Sequence, residues 1–356
     1  MESSVKNRFL ILITVFLLLC GTVNAQAPVQ YTTLGDFELE NKGVISDCRL
    51  AYLTVGTLNA DKSNVVLIST WLAGTSPELV NTNFVGPGKV FDSDRYFIIA
   101  VDAFGNGVSS SPSNSKKQPG KSFPQFTIRD MVRAQHLLLT EHLKINHVFA
   151  VCGVSMSAMA AFQWLVSYPD FMDTVIAVSG SPRMTSYDLL YWSSQLSVLE
   201  AINDCRGSKE AMKALAPLHV LQAWPPSLRT GKTTPAEFPA FLAAEREKFS
   251  RYDAADWMSQ IKAIMSHDIA KDSGGDYGKI AAAMREKCLI ITSPSDLIVY
   301  PQEAKSFARV IGAQTAEMDR VCGHFAFLCD QENLRNIVHK FMACHSGGCR
   351  KTEKNN

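Results

Sequence analysis

The sequence predicts an α/β fold: a mostly parallel central sheet flanked by helices, interrupted by a helical insertion. Three observations carry this expectation. Apolar runs of strand length recur at residues 64–69, 96–101, 148–153, 174–179 and 288–292. Each is apolar almost throughout rather than alternating, as suits a parallel strand buried on both faces. Helical patterns lie between them, and strands alternating with helices imply a doubly wound sheet. The tract from about 183 to 284 breaks that rhythm, with long helical patterns, Trp224-Pro225-Pro226 and no convincing buried strand.

At the front of the chain, Lys6 and Arg8 precede an apolar run over 9–19, and Val23-Asn24-Ala25 supplies small residues for cleavage. That is the layout of a secretory signal peptide over 1–25, and the run is too short to span a bilayer comfortably. A lipid anchor at Cys20 is disfavoured by the bulk of Leu19 before it. The expected location is secreted or periplasmic, with no stable membrane insertion after cleavage. About 330 residues then remain, enough for one large catalytic domain with an insertion. Charged residues make up 19% and the formal net charge is +1, so no basic patch or acidic tail points to nucleic acid.

The first central strand, 64–69, runs into Thr70-Trp71-Leu72-Ala73-Gly74, a loop placed to offer backbone N–H groups at the sheet edge. Residues 109–121 are rich in Ser, Pro and Gly, and Lys116, Lys117 and Lys121 there read as a solvated surface loop. A helix is expected over 128–142, where Ile128, Met131, Val132, Leu138 and Leu139 fall at helical spacing. Thr127 is its N-cap, with Asp130 in the first turn.

Residues 148–159, Val-Phe-Ala-Val-Cys-Gly-Val-Ser-Met-Ser-Ala-Met, are the most informative stretch. An apolar run ends at Gly153, Ser155 follows two residues later, and small and apolar residues continue to Tyr168. This is the strand, sharp turn and helix of a nucleophile elbow, in which the serine hydroxyl stands clear at the sheet edge. The helix beginning there turns its N-terminal N–H groups toward an oxyanion formed on that serine. The usual motif ends in glycine, and here Ser157 takes that place.

A serine hydroxyl needs an imidazole to take its proton, and the imidazole needs a carboxylate to fix its tautomer. The strand at 288–292 runs into Ser293-Pro294-Ser295-Asp296, and Val321-Cys322-Gly323-His324-Phe325 follows in a short irregular segment. Asp296 alone reads as a turn residue and His324 as one of eight ordinary histidines. Together with Ser155, in the order nucleophile, acid, base, they read as a catalytic set.

At these residues the chain resembles the homoserine O-acetyltransferase family of the α/β-hydrolase superfamily. The matching pieces span nearly the whole mature chain. They include residues 86–97, the distinctive Thr127-Ile128-Arg129-Asp130-Met131-Val132-Arg133-Ala134-Gln135 block, Ser155-Met156 with Tyr168-Pro169-Asp170, Asp296-Leu297, and Gly323-His324 with Ala326-Phe327-Leu328. The resemblance implies an α/β-hydrolase core over 26–182 and 285–345, a helical lid over 183–284 and a polar tail over 346–356. It implies a serine acyl-enzyme with Ser155 as nucleophile, His324 as base and Asp296 as orienting acid. The oxyanion hole would use the backbone N–H groups of Met156 and Leu72, with Trp71 walling the acyl pocket. No cofactor and no metal are implied.

Two departures bear on substrate. The family aspartate that helps hold the substrate amine is replaced by Phe325, and residues 187–198 lack the arginine that grips the substrate carboxylate. An amino acid buried here would lack partners for both charges. The expected function is therefore an exported esterase acting on a small-molecule ester or acyl substrate. The alternatives are an O-acyltransferase with an alcohol acceptor and a non-catalytic binding protein on the same fold. A homodimer stays open.

Of nine cysteines, eight remain once Cys20 leaves with the signal. An even count in an oxidising compartment permits disulfides. Cys344 and Cys349 flank a flexible tether, Cys322 and Cys329 bracket His324, and Cys152 reads as a buried thiol. A zinc set of Cys322, His324, Cys329 and Cys344 is disfavoured, since no paired Cys-x-x-Cys spacing is present.

Overall fold

The computed structural model describes residues 28–82, 84–281, 287–318 and 321–346. The signal-peptide reading over 1–25, residues 347–356 of the tail and Cys349 lie outside the described residues. Strands β1 (Gln30–Glu38) and β2 (Val44–Val55) form an antiparallel hairpin; β3 (Val65–Ser69) leads to α1 (Ser76–Asn81). A two-residue pair, β4 (Val85–Gly86) and β5 (Phe91–Asp92), precedes β6 (Phe97–Val101). Then come α2 (Ile128–Leu137), β7 (Val148–Val154), α3 (Met156–Ser167) and β8 (Met172–Val178). A run of helices follows: α4 (Ser186–Arg206), α5 (Ser208–Ala223), α6 (Pro226–Lys232), α7 (Phe238–Phe249), α8 (Ala254–Met265) and α9 (Tyr277–Ile280). The chain returns through β9 (Cys288–Thr292), α10 (Gln302–Ile311) and β10 (Gln314–Glu317) to α11 (Ala326–Cys329) and α12 (Gln331–His345).

The main sheet has the order β1-β2-β6-β3-β7-β8-β9-β10, parallel from β6 onward. All five central strands expected from the apolar runs form, with ends shifted by one or two residues. Their side chains divide between two cores by simple alternation. Val65, Leu67, Ile99, Val101 and Val151 face one, and Val66, Ile68, Ile98, Ala100 and Cys152 face the other. Helices α2, α3 and α10 cover the first face; α1 and α12 cover the second. Helix α10 shows why such elements form here: Ala304, Phe307, Ala308 and Ile311 are buried at i, i+3, i+4 and i+7.

The structure differs from the sequence reading at three places. Helix α2 is capped by Thr127 and Asp130 as expected, but ends at Leu137, and residues 138–142 wind as a π-helical turn. The hairpin β1–β2 was not expected, because edge strand β1 is mostly exposed and the buried run of β2, Leu50 to Leu53, is only four residues long between Arg49 and Thr54. Edge strand β10, with mostly exposed residues, was missed for the same reason. Among the described residues no helix is long and apolar enough to cross a membrane.

In this strand order the chain leaves β3 for β6 on one side and later returns to β7 on the other. Such a switch opens a crevice at the carboxyl ends of the strands, where ligands bind in open α/β sheets. Trp71 and Leu72 follow β3, Ser155 follows β7, Asp296 follows β9, and His324 and Phe325 lie on a 3-10 turn beyond β10.

Candidate active site

Ser155 occupies the turn between β7 and α3 with φ 58° and ψ −125°. This backbone state is rare for a residue with a side chain and costs on the order of 1–3 kcal/mol. Neighbouring contacts force it. A Cβ on Gly153 would lie 2.1 Å from the Ser157 carbonyl oxygen, and one on Gly180 would lie 2.4 Å from the Ala158 Cβ. The helix therefore folds back against two side-chain-free positions. Ser157, where the motif ordinarily has glycine, turns its hydroxyl onto the strand: it accepts from Val154 N–H at 2.6 Å and donates to the Val154 carbonyl at 2.8 Å.

His324 Nε2 lies 3.0 Å from Ser155 Oγ, and His324 Nδ1 lies 2.7 Å from Asp296 Oδ2. The ionised carboxylate can only accept, so Nδ1 carries the ring proton and Nε2 is left to accept from the serine hydroxyl. Asp296 and His324 are buried. The other carboxylate oxygen, Asp296 Oδ1, accepts from the N–H groups of Ile298 and Val299, both at 2.9 Å. Asp296 is thus saturated with donors and held in one orientation. The alternative carboxylates are elsewhere: Asp268 pairs its backbone with Arg183, and Asp272 forms an ion pair with Arg129.

His324 rides on a single 3-10 turn, Gly323–Phe325. A disulfide between Cys322 and Cys329 ties the start of that turn to the end of α11. It takes up two members of the disfavoured zinc set, and Cys152 is a buried thiol whose pKa burial raises well above the ordinary range. Gly323 has φ +57°, and a Cβ there would meet Pro225 at 2.9 Å.

The N–H of Met156 opens α3 and so has no intrahelical partner. Neither it nor the N–H of Leu72 bonds to another group among the described residues. The Leu72 turn is pinned from the helical tract, where Gln260 of α8 accepts from Ala73 N–H at 2.7 Å and donates to the Phe104 carbonyl at 2.8 Å. Trp71, Leu72, Ser155, His324 and Phe325 all line one cavity of about 300 Å³.

Most of that cavity's remaining wall comes from the helical tract: Trp192 of α4, His219 and Ala223 of α5, Phe249 of α7 and Trp257 of α8. Sequence reasoning named none of these, because residues so far apart in the chain carry no shared spacing. Burial, with His324 and Lys248 nearby, pushes the His219 pKa down to about 3, so its ring is neutral near pH 7. Phe325 packs on Trp224 with ring centroids 4.9 Å apart. Glu245 and Lys248 supply the cavity's charged lining, and Lys248 is exposed. A second anchor was also invisible in the sequence. Asp188 caps α4 through Thr185 and accepts from Tyr300 N–H at 3.0 Å, fastening that helix to the Asp296 loop.

A nucleophile elbow, a hydrogen-bonded Ser–His–Asp set and two free N–H groups at the edge of a parallel sheet define a serine hydrolase of α/β architecture. The alpha/beta hydrolase fold family matches residues 65–330, and the chain belongs to that family. It is 31% identical to an ethyl acetate hydrolase from Pseudomonas veronii, over 77% of this chain and 82% of that one. It is 29% identical to a homoserine O-acetyltransferase from Trichormus variabilis, over 86% of this chain and 91% of that one. An acetylester hydrolase structure from Corynebacterium glutamicum superposes with a TM-score of 0.82 at 27% identity, covering 92% of this chain and 98% of that one. Within the family the chain therefore groups with acetyl ester hydrolases and homoserine acyltransferases.

Proposed function

We propose that this protein is a carboxylic-ester hydrolase for short acyl esters, exported by its N-terminal segment, working through an acyl-enzyme on Ser155. Ser155 Oγ attacks the ester carbonyl while His324 Nε2 takes its proton. The carbonyl oxygen, now negative, accepts from the Met156 and Leu72 N–H groups. Collapse releases the alcohol, which takes the proton from His324. Water then attacks the acyl-enzyme with His324 again as base, and the acid leaves. Asp296 keeps Nδ1 protonated and stabilises the imidazolium, and the tract over 183–284 acts as a lid walling the acyl pocket.

The observation that carries hydrolysis over amino-acid acylation is the wall beside His324, where Phe325 packs on Trp224. An ammonium beside His324 would meet the Phe325 ring, and the carboxylate that lines the cavity, Glu245, stands on α7 three residues from Lys248. The test takes purified mature protein through acetate, propionate and butyrate esters, and separately through acetyl-CoA with homoserine, alongside labelling by a fluorophosphonate. The expected result is Ser155-dependent ester hydrolysis without O-acetylhomoserine, with labelling abolished by Ser155→Ala. Robust Ser155-dependent O-acetylhomoserine formation would replace this reading by the acyltransferase one.

A further inference from the structure

The cavity is not uniformly apolar. Its α4 wall includes Trp192, whose Nε1–H is a buried hydrogen-bond donor without an acceptor among the described residues. Trp192 is 1% exposed and Gln195 is fully buried. They are three residues apart on α4, so they share one helix face, and Trp192 lines the cavity that holds Ser155.

The rest of the local network is spoken for. Gln195 Oε1 accepts from Trp257 Nε1–H at 3.3 Å and lies 3.4 Å from His219 Nδ1. Tyr191 Oη sits 3.2 Å from the same His219 nitrogen. The Gln195 amide is directed at the Tyr191 hydroxyl within this network, while Trp192 Nε1–H is left over. A buried donor without an acceptor costs roughly 1–3 kcal/mol, and an apolar acyl chain filling this end would leave that cost in place. A carboxylate would bury its charge beside the neutral His219 ring, and Lys248, the cation nearby, is exposed to solvent, so a neutral oxygen is the better match for a buried N–H donor.

We propose that Trp192 and His219 form a polar subsite that selects esters carrying a second, neutral oxygen acceptor, such as a keto or ether group, away from the scissile bond. This deepens the esterase reading and rests on it for the word ester, but the subsite itself is read by binding. Trp192 donates to the extra oxygen, and Gln195, off the cavity wall, holds His219 through Nδ1 at the same end of the cavity. The residues determine specificity and take no part in proton transfer at Ser155.

The experiment measures equilibrium binding to the full chain carrying Ser155→Ala, by quenching of the cavity tryptophans. Two shape-matched pairs are compared. Ethyl 4-oxopentanoate against ethyl 4-methylpentanoate puts the extra oxygen in the acyl part. 3-Oxobutyl acetate against 3-methylbutyl acetate puts it in the alcohol part. The oxygenated member of one pair is expected to bind about five- to tenfold more tightly, the scale of one satisfied buried hydrogen bond, and the pair showing it tells which side of the ester enters the subsite. Trp192→Phe, which keeps an aromatic ring and removes the donor, should shrink that ratio toward one. Since the ratio is taken within one protein, a general loss of affinity in a variant does not imitate the effect. Equal affinities within both pairs, or a preference unchanged in Trp192→Phe, would overturn the subsite. Turnover of plain acetate and butyrate esters by the parent protein reads the esterase assignment separately.

Discussion

Ser155 holds a backbone conformation that few L-residues adopt, and its neighbours are chosen so that nothing else is available. Gly153 has no room for a methyl group against the Ser157 carbonyl. Ser157 itself restores with its hydroxyl what the missing motif glycine would give by being small: close docking of helix on strand. Ser157→Ala should therefore fold, keep fluorophosphonate labelling, and lose on the order of 1 kcal/mol of stability as the Val154 N–H loses its partner; denaturant unfolding measures it. Loss of labelling would mean that Ser157 does more than pack. For the acid, Asp296→Asn should leave a folded protein whose turnover falls by about three to four powers of ten, through the wrong imidazole tautomer. Asp268→Asn should be nearly silent. Steady-state kinetics on both variants would expose a wrong assignment if the pattern were reversed.

At the scale of elements, the placement of His324 depends on a turn of only three residues, too short to be rigid alone. The Cys322–Cys329 disulfide and the approach of Gly323 to Pro225 hold it. Cys322→Ser should lower kcat by about tenfold or more by misplacing the base, and should raise KM as well, because Phe325, Phe327 and Leu328 of the same segment line the cavity. Cys329→Ser should match it, and the double variant should be no worse than either, because one bond is lost in all three. Unchanged kcat in the single variants would assign the bond to stability only. Helix α8 plays a parallel part for the oxyanion turn through Gln260, so a helix of the inserted tract shapes the loop after β3.

On the scale of the whole molecule, the inserted helices and the sheet share one core, and that core buries ionisable groups. His267 is 5% exposed, and burial with Arg129 nearby pushes its pKa down to about 3. An unfolded histidine titrates at about 6.5, so between those values the unfolded chain binds the extra proton and stability falls as pH falls. His267→Gln removes this term. The gap in unfolding free energy between pH 7.5 and pH 5 should shrink in the variant by on the order of 2 kcal/mol. Equal gaps in parent and variant would mean that the folded protein protonates His267 freely.

Local chemistry determined what could be read from the sequence alone. Continuous apolar runs made the parallel strands legible, Gly153 and Ser155 marked the elbow, and chain order linked Ser155, Asp296 and His324. These signals are short-range: a few residues and a strand exit suffice for each. The hairpin β1–β2 and the edge strand β10 escaped, because β1 and β10 are mostly solvent-exposed and the apolar run of β2 is only four residues long. The cavity was decided only by tertiary structure. Trp192, His219, Phe249 and Trp257 meet because α4, α5, α7 and α8 pack over the sheet, and neither their spacing nor their residue types announce it. The same holds for the orphaned donor of Trp192: whether a buried N–H finds an acceptor is settled by what the fold brings within about 3 Å of it, which no local pattern encodes.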